Sequence, residues 1–379
     1  MQDLKSIDGI LDKAVSLQDI TESEALCLLS QESSQAIAKI RKTANYLRQK
    51  QSGEIVSYII NRNINFTNIC EQHCSFCAFR RDANTEGAFW LTTEQILAKT
   101  AEAVDLGATE ICMQGGLHPE AKMAGTSLNY YCSLIETIKR NFPQIHFHGF
   151  SPQEIQFIAR EDNLNYAKVI NSLLDVGLGS MPGTAAEILD DKVRKIICPE
   201  KINTDTWLEI IGIAHQLGVP TTSTMLAGHI ETPAHQITHL GKLRHLQQQT
   251  IQNNYAGRIT EFIILPFVGE TAPEPIRRRV KRDQPIVSDT LLLTAIARIF
   301  LGNVIPNHQP SWVKLGLSAA QEALNWGCND LGGTLMEEHI TNMAGAKGGT
   351  GLSPETMRVA ISSLQRPYRQ RNTLYANAN

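Results

Sequence analysis

Asn65-Phe66-Thr67-Asn68-Ile69-Cys70-Glu71-Gln72-His73-Cys74-Ser75-Phe76-Cys77-Ala78-Phe79-Arg80-Arg81 carries three cysteines at C-x3-C-x2-C spacing, with an aromatic side chain directly before the third. Just upstream, Ile64 and Phe66 alternate with polar Asn63, Asn65 and Thr67, the period of two that marks a strand. The triad is therefore expected on the loop that leaves a strand. Three thiolates from one loop can hold three corners of an iron–sulfur cube, whereas a closed cluster or a structural zinc site takes four ligands. A missing fourth ligand leaves one iron open to a substrate or cosubstrate, as in catalytic metal sites. The competing readings are a three-cysteine zinc site completed by a distant residue, and three unrelated thiols. His73 is a poor fourth ligand, because it adjoins Cys74 and neighbouring residues seldom reach one metal together.

The rest of the composition is that of an ordinary globular chain. Its 379 residues are 42% hydrophobic and 19% charged, with a formal net charge of −3. That balance gives no whole-molecule attraction to nucleic acid or an anionic membrane, so neither is expected as a partner. No apolar run approaches the roughly 18 residues needed to span a bilayer. Met1-Gln2-Asp3-Leu4-Lys5-Ser6 lacks the basic and apolar regions of a secretory signal, and a cytoplasmic location is expected. Eight cysteines are too few for a disulfide framework in a chain of this length. Cys27, Cys112, Cys132, Cys198 and Cys328 stand singly and are expected as buried structural thiols.

Three parts are expected. Residues 1–55 form a helical extension, with Leu4, Ile7, Ile10, Leu11 and Ala14 at helical spacing and Thr21-Glu22-Ser23-Glu24 as a helix start. Residues 56–331 alternate short apolar runs with amphipathic helices, about eight βα units, which predicts a parallel α/β barrel of the TIM type. The expected strands are 58–68, 109–114, 145–150, 177–181, 219–226, 259–266, 303–306 and 328–331. The expected later helices include 287–301 and 315–326. Residues 332–379 are expected as a helical tail, with Ser353-Pro354-Glu355 as a cap and 377–379 frayed.

Barrel chemistry belongs at the carboxyl ends of the strands, where the cysteine loop falls. The next strand ends in Gln114-Gly115-Gly116, and paired glycines there let a backbone approach a ligand closely, although a plain tight turn has the same pattern. Glu187, in Leu178-Gly179-Ser180-Met181-Pro182-Gly183-Thr184-Ala185-Ala186-Glu187, is either a carboxylate acceptor for ligand hydroxyls or an ordinary acidic residue of a helix's first turn. Thr221 to Thr224 offer hydroxyls on one strand, of which an alternate set faces inward. His146, His148, His229 and His308 are expected as hydrogen-bonded pocket or core residues rather than ligands. The basic run Arg277-Arg278-Arg279-Val280-Lys281-Arg282 is expected as an exposed loop, either merely solvated or docking an acidic partner.

The cysteine motif, with Phe76 before Cys77, resembles that of the radical S-adenosylmethionine (radical SAM) superfamily. The resemblance implies one 4Fe-4S cluster held by Cys70, Cys74 and Cys77. Its open iron would bind S-adenosyl-L-methionine (SAM), whose reductive cleavage yields methionine and a 5′-deoxyadenosyl radical. It further implies that Gly115 and Gly116 meet the methionyl amine of SAM, and that Glu187 could accept from its ribose hydroxyls.

Later motifs narrow the likeness. Cys112-Met113-Gln114-Gly115-Gly116-Leu117-His118-Pro119, Thr260-Glu261-Phe262-Ile263-Ile264-Leu265-Pro266-Phe267, Pro310-Ser311-Trp312-Val313-Lys314 and Asp330-Leu331-Gly332-Gly333-Thr334-Leu335-Met336-Glu337-Glu338 resemble a subgroup of two branches. One contains the tyrosine-using subunits of FO synthase (CofH-type), the other the futalosine-pathway enzymes of menaquinone synthesis. Asp330 to Glu338 and the tail from Arg366 to Tyr375 favour the first. That branch implies cleavage of the Cα–Cβ bond of L-tyrosine and transfer of its 4-hydroxybenzyl group to C5 of 5-amino-6-(D-ribitylamino)uracil, with release of 2-iminoacetate, in deazaflavin (FO) biosynthesis. It implies as partners FO synthase subunit 1 (CofG-type) and an electron donor such as flavodoxin or ferredoxin. The tyrosine carboxylate needs a cation or N–H donors, for which Arg80, Arg81 and Lys314 are candidates. The rivals are a dehypoxanthine-futalosine cyclase and, from another class, a non-enzymatic zinc-binding module.

Overall fold

The computed structural model describes residues 6–378, so Leu4 and Asn379 lie outside the described residues. Three helices come first: α1 (Ile7–Val15), α2 (Glu22–Leu29) and α3 (Ser34–Ser52). Thr21 and Glu24 cap α2 reciprocally, each side chain taking the other's backbone N–H. The first stave of the barrel follows in two halves, β1 (Val56–Ile59) and β2 (Asn61–Asn65). The chain then alternates: α4 (Thr93–Asp105), β3 (Glu110–Gln114), α5 (Ser127–Asn141), β4 (His146–His148), α6 (Pro152–Glu161), α7 (Tyr166–Asp175), α8 (Asp191–Ile197), α9 (Thr204–Gln216), β5 (Thr221–Ala227) and α10 (Pro233–Gln252). It continues through β6 (Ile259–Pro266), α11 (Glu274–Val280), α12 (Val287–Leu301), β7 (Asn307–Pro310), α13 (Trp312–Leu315), α14 (Leu317–Ala323) and β8 (Asp330–Gly333). The tail holds α15 (Ile340–Met343), α16 (Pro354–Ser362) and a ninth strand, β9 (Tyr368–Gln370).

Every ladder between these strands is parallel, in the orders β2–β3–β4, β5–β6–β7 and β8–β1–β9. Short links join them into a ring. Ser180 bridges His148 and Met181 bridges Thr221, while Asn329 N–H donates to His308 O at 3.0 Å. The result is a (β/α)8 barrel whose fourth stave has shrunk from the expected 177–181 to those two bridging residues.

Side-chain alternation sorts the two faces. Ile64 and Phe66 point outward, where the Phe66 ring meets Tyr131 of α5 edge-on at 5.7 Å between centroids. Asn63 and Asn65 point into the lumen. The N-terminal helices lie outside the ring, α3 against α12 and α2 against α10, with Ile40, Ala44 and Leu47 buried. No helix among the described residues is long and apolar enough to cross a membrane.

Several expectations are corrected. Strand seven is 307–310 rather than 303–306, because the N–H groups of Val304 and Ile305 still turn back to Leu301 O at 2.9 and 2.8 Å and so finish α12. His308 therefore sits within the stave instead of after it. The helix expected over 315–326 is split at Gly316, whose φ of 79° no continuous helix allows. The basic run is mostly helix α11, started by Pro at its first turn and exposed along Arg277 and Arg278.

The tail is helical only in part. β9 pairs with β1 (Val56 opposite Tyr368), and alternate residues beyond it enter the barrel floor. Arg371 donates from Nε to Asp330 Oδ2 at 2.6 Å and from Nη2 to Glu261 Oε2 at 3.3 Å, and Thr373 donates to Glu110 Oε2 at 2.7 Å. Of the residues expected to fray, Asn377 and Ala378 are held, Asn377 bridging Arg371 and Ala378 N–H reaching Gln370 O at 3.3 Å.

Candidate active site

The carboxyl ends of the strands surround a cavity of about 400 Å³. The cysteine loop forms one side of its mouth and the barrel lumen its depth. Backbone bonds hold that loop: Cys70 N–H to Arg81 O at 3.2 Å, Glu71 N–H to Leu117 O at 3.0 Å and Ser75 N–H to Ile197 O at 2.9 Å. Cys70, Cys74 and Cys77 are free, half-buried thiols on the cavity wall. Burial pushes the Cys74 thiol up to about 12 and raises that of Cys70 as well. A metal is what would make thiolates of such thiols, since coordination deprotonates them. His73 points elsewhere: its side chain is 59% exposed and its N–H donates to Glu200 Oε2 at 2.6 Å. Among the described residues, no three His, Cys, Asp or Glu side chains gather closely enough to hold a single ion. A cubane spreads its cysteines over separate irons and does not require that gathering.

Across the mouth lies the turn after β3. A Cβ on Gly116 would stand 2.2 Å from the Ile69 carbonyl oxygen, and one on Gly115 would strike the Phe66 ring at 2.6 Å. Only glycines let this turn close against the cysteine loop. Gly115 N–H donates to Glu154 Oε1 at 3.1 Å and Gly116 N–H to Thr67 O at 2.8 Å, so both N–H groups of the turn are engaged within the chain. Glu154 also caps α6 through Ser151, and burial pushes its carboxyl up to about 7 despite those donors. The bond from this cap to Gly115 joins residues 39 apart in the chain, and no local signal announces it.

Glu187 lines the cavity, though not in the first turn of a helix: it lies in a loop with φ of 45°, close after Ala185 at 63°. Left-handed, non-glycine backbone is strained and persists only when its surroundings impose it. Buried Arg194 does so here, donating to the carbonyls of Ala185 at 3.2 Å and Ile202 at 3.0 Å. The Glu187 carboxylate pairs with Lys201 Nζ at 2.6 Å. Burial works against both charges, but their mutual attraction prevails, holding Glu187 below and Lys201 above its ordinary range. Lys201 also lies over the Phe76 ring, 5.3 Å from its centroid. Lys201 and Arg194 were missed in the sequence because nothing local distinguishes them from surface cations.

Deeper in, the lumen is lined by Asn63, Asn65, Cys112, Gln114, Thr224, Leu226 and Gln309, alternate residues of their strands. On β5 the inward set is thus 222, 224 and 226, while Thr221 and Ser223 bond outward to His215 at 3.0 Å and Glu261 O at 2.9 Å. Of the candidate carboxylate partners, Lys314 lines the cavity and burial lowers its ammonium. Arg80 lines it too but is paired with Asp82, and Arg81 is spent on the carbonyls of Ala78 and Arg80 at 2.8 Å each. His146 and His148 share the Ser180 hydroxyl at 2.7 Å each, as hydrogen-bonded barrel residues.

Residues 64–241 match the radical SAM superfamily and 256–378 the CofH/MqnC C-terminal region. A 5-amino-6-(D-ribitylamino)uracil–L-tyrosine 4-hydroxyphenyl transferase of Cyanothece sp. (strain PCC 7425 / ATCC 29141) is 65% identical over 371 residues, 98% of this chain and 97% of that protein. A transferase of the same name from Nostoc punctiforme is 64% identical, over 99% of this chain and 98% of that protein. Among solved structures, methylornithine synthase (PylB) superposes with a TM-score of 0.73 at 16% identity, covering 95% of this chain and 97% of its own. The hydrogenase maturase HydG superposes at 0.72 and 15% identity, covering 97% and 75%. These two likenesses establish the barrel fold. With relatives this similar along nearly the whole length, the chain belongs to the radical SAM superfamily and, within it, to the family of the 5-amino-6-(D-ribitylamino)uracil–L-tyrosine 4-hydroxyphenyl transferases.

Proposed function

We propose that this chain cleaves the Cα–Cβ bond of L-tyrosine and transfers the 4-hydroxybenzyl group to C5 of 5-amino-6-(D-ribitylamino)uracil. In balance, tyrosine, SAM and the pyrimidine give the C5 adduct, 2-iminoacetate, methionine, 5′-deoxyadenosine and a proton. The observation that carries this is one cavity uniting the three thiols, the glycine turn and a polar lumen, in a chain 65% identical to a transferase of that name over 98% of its length.

Radical SAM enzymes work with a 4Fe-4S cluster and SAM, and the residues present fit both: three soft thiols on one wall, and opposite them a backbone with no room for a Cβ. Cys70, Cys74 and Cys77 would hold the cluster. Gly115 and Gly116 would admit the methionyl end of SAM, and Glu187, oriented by Lys201, would accept from its ribose. When bound, the cluster supplies an electron and SAM the carbon-centred radical that starts hydrogen abstraction. The chain's own part is positioning and shielding. Phe79, Leu117, Leu226, Leu265 and Trp312 give the cavity apolar walls that keep water from a reactive substrate. Lys314 places an ammonium where a tyrosine carboxylate can pair with it.

The remaining partners follow from the same reading. A CofG-type subunit would receive the adduct, and flavodoxin or ferredoxin would deliver electrons. The exposed arginines of α11 offer an acidic donor a docking face. A cytoplasmic, reducing setting suits free thiols and an oxygen-sensitive cluster. The division into extension, core and tail at 55 and 331 is supported by the end of α3 at Ser52 and the start of β1 at Val56. Its second boundary is less sharp, because β8 runs on to Gly333.

The test is anaerobic reconstitution with iron and sulfide, then incubation with SAM, reductant, tyrosine and the ribityl-uracil. The benzylated adduct and equimolar 5′-deoxyadenosine are expected, and neither from C70A, C74A or C77A. A product formed from a futalosine derivative instead would transfer the chain to the cyclase branch.

A further inference from the structure

Three amide oxygens in the lumen are buried without a hydrogen-bond partner among the described residues: Asn63 Oδ1, Asn65 Oδ1 and Gln309 Oε1. All three residues line the cavity. Two of the amides are oriented by their neighbours. Asn65 donates from Nδ2 to the Gln114 carbonyl at 3.2 Å, and Gln309 donates from Nε2 to Glu261 Oε1 at 3.0 Å. The carbonyl can only accept, which fixes the Asn65 amide outright; Glu261, whose carboxyl burial pushes up to about 7, accepts when ionised beside Arg371 and so orients the Gln309 amide the same way, leaving the oxygens as acceptors. Buried acceptors without donors are costly, and a fold keeps them where a ligand completes them.

The chemistry of that ligand follows. Three neutral acceptors reject a carboxylate and select a group rich in O–H or N–H. Successive inward residues of β2 stand about 7 Å apart, a span that a five-carbon polyol covers, with Gln309 facing them from β7. Given the reading above, on which this inference rests, the ribityl side chain is the substrate group with hydroxyls in series. We propose that Asn63, Asn65 and Gln309 form the subsite that seats the polyol chain of the pyrimidine substrate and so distinguishes it from pyrimidines without one. Asn65 touches the glycine turn's neighbour Gln114, so Asn63 and Gln309 give the cleaner probes.

The experiment is calorimetric titration of the reconstituted holoenzyme, without tyrosine, with 5-amino-6-(D-ribitylamino)uracil and with 5,6-diaminouracil. Wild type is expected to bind the ribityl compound more tightly. N63L and Q309M are each expected to lose about five- to tenfold in affinity for it, the worth of one hydrogen bond, with less than about a twofold change for diaminouracil. In turnover, KM for the ribityl-uracil should rise while KM for tyrosine holds. Equal binding of both pyrimidines by wild type overturns the proposal without recourse to any variant, and so does a parallel loss of both in the variants. The functional reading fails separately, if the wild-type holoenzyme releases no tyrosine-derived adduct.

Discussion

Arg371 and Asp330 meet in the barrel floor, Nε to Oδ2 at 2.6 Å, with side chains 4% and 0% exposed. Glu261 joins the same guanidinium at 3.3 Å, and the Arg371 guanidinium lies 4.0 Å from the Tyr375 ring centroid. A tail residue thus neutralises carboxylates from two staves, closing the end of the barrel opposite the cysteine loop.

Replacing Arg371 by Ala leaves those carboxylates buried without their cation. Breaking a buried pair from one side typically costs about 3–5 kcal/mol. Urea denaturation should show a loss of that order for R371A, with a smaller one for R371K, whose ammonium keeps the charge but not the fork. A loss below about 1 kcal/mol would mean that the floor closes without this contact.

Lys201→Met should destabilise the fold by about 3 kcal/mol, because Glu187 is then buried alone beside the cavity. Combining it with Glu187→Gln removes both charges and should recover most of that loss. A double-mutant cycle of melting curves measures the coupling, and strict additivity would deny it.

Gly116→Ala should leave the overall fold intact yet displace the cysteine loop, since its Cβ would lie 2.2 Å from Ile69 O, a backbone atom. Misplacing reacting groups by about an ångström costs on the order of 100-fold in rate. Tyrosine-dependent release of 5′-deoxyadenosine, measured with iron content per chain, should fall by that order. Wild-type turnover would show that the turn has slack.

His215 supplies a pH signature. It is fully buried between Thr250 and Thr221, at 2.9 and 3.0 Å, and burial pushes its imidazole down to about 4. Folded, it stays neutral; unfolded, it binds a proton near its ordinary 6.5. Its contribution is therefore fully present above about pH 6.5 and is lost as pH falls from there toward 4. The stability of wild type minus that of H215Q should shrink by about 1.3 kcal/mol between pH 7.5 and 5.5. A difference independent of pH would rule this out.

Much of the fold and part of the site could be read in the residues. The alternation around Ile64 and Phe66 marked the first stave, and Thr21 and Ser353 marked the starts of α2 and α16. Strand seven was misplaced because Val304-Ile305 is as apolar as a strand, and only the hydrogen bonds back to Leu301 reveal it as a helix exit. The tail's strand escaped notice because Tyr368-Arg369-Gln370 has no apolar face; its backbone pairing with β1 makes it a strand.

The sequence by itself determined the cysteine loop, the glycine turn and the rhythm of strands and helices. Those depend on ligand spacing within one loop and on periodicities of two and 3.6, which neighbouring residues set among themselves. Tertiary structure alone decided that Lys201 orients Glu187, that Glu154 takes Gly115 N–H, that Arg371 plugs the floor and that three amide oxygens stand open in the lumen. The first two rest on how loops and α6 pack at the mouth, and the last two on strand register, in which a slip of one residue turns every side chain to the opposite face.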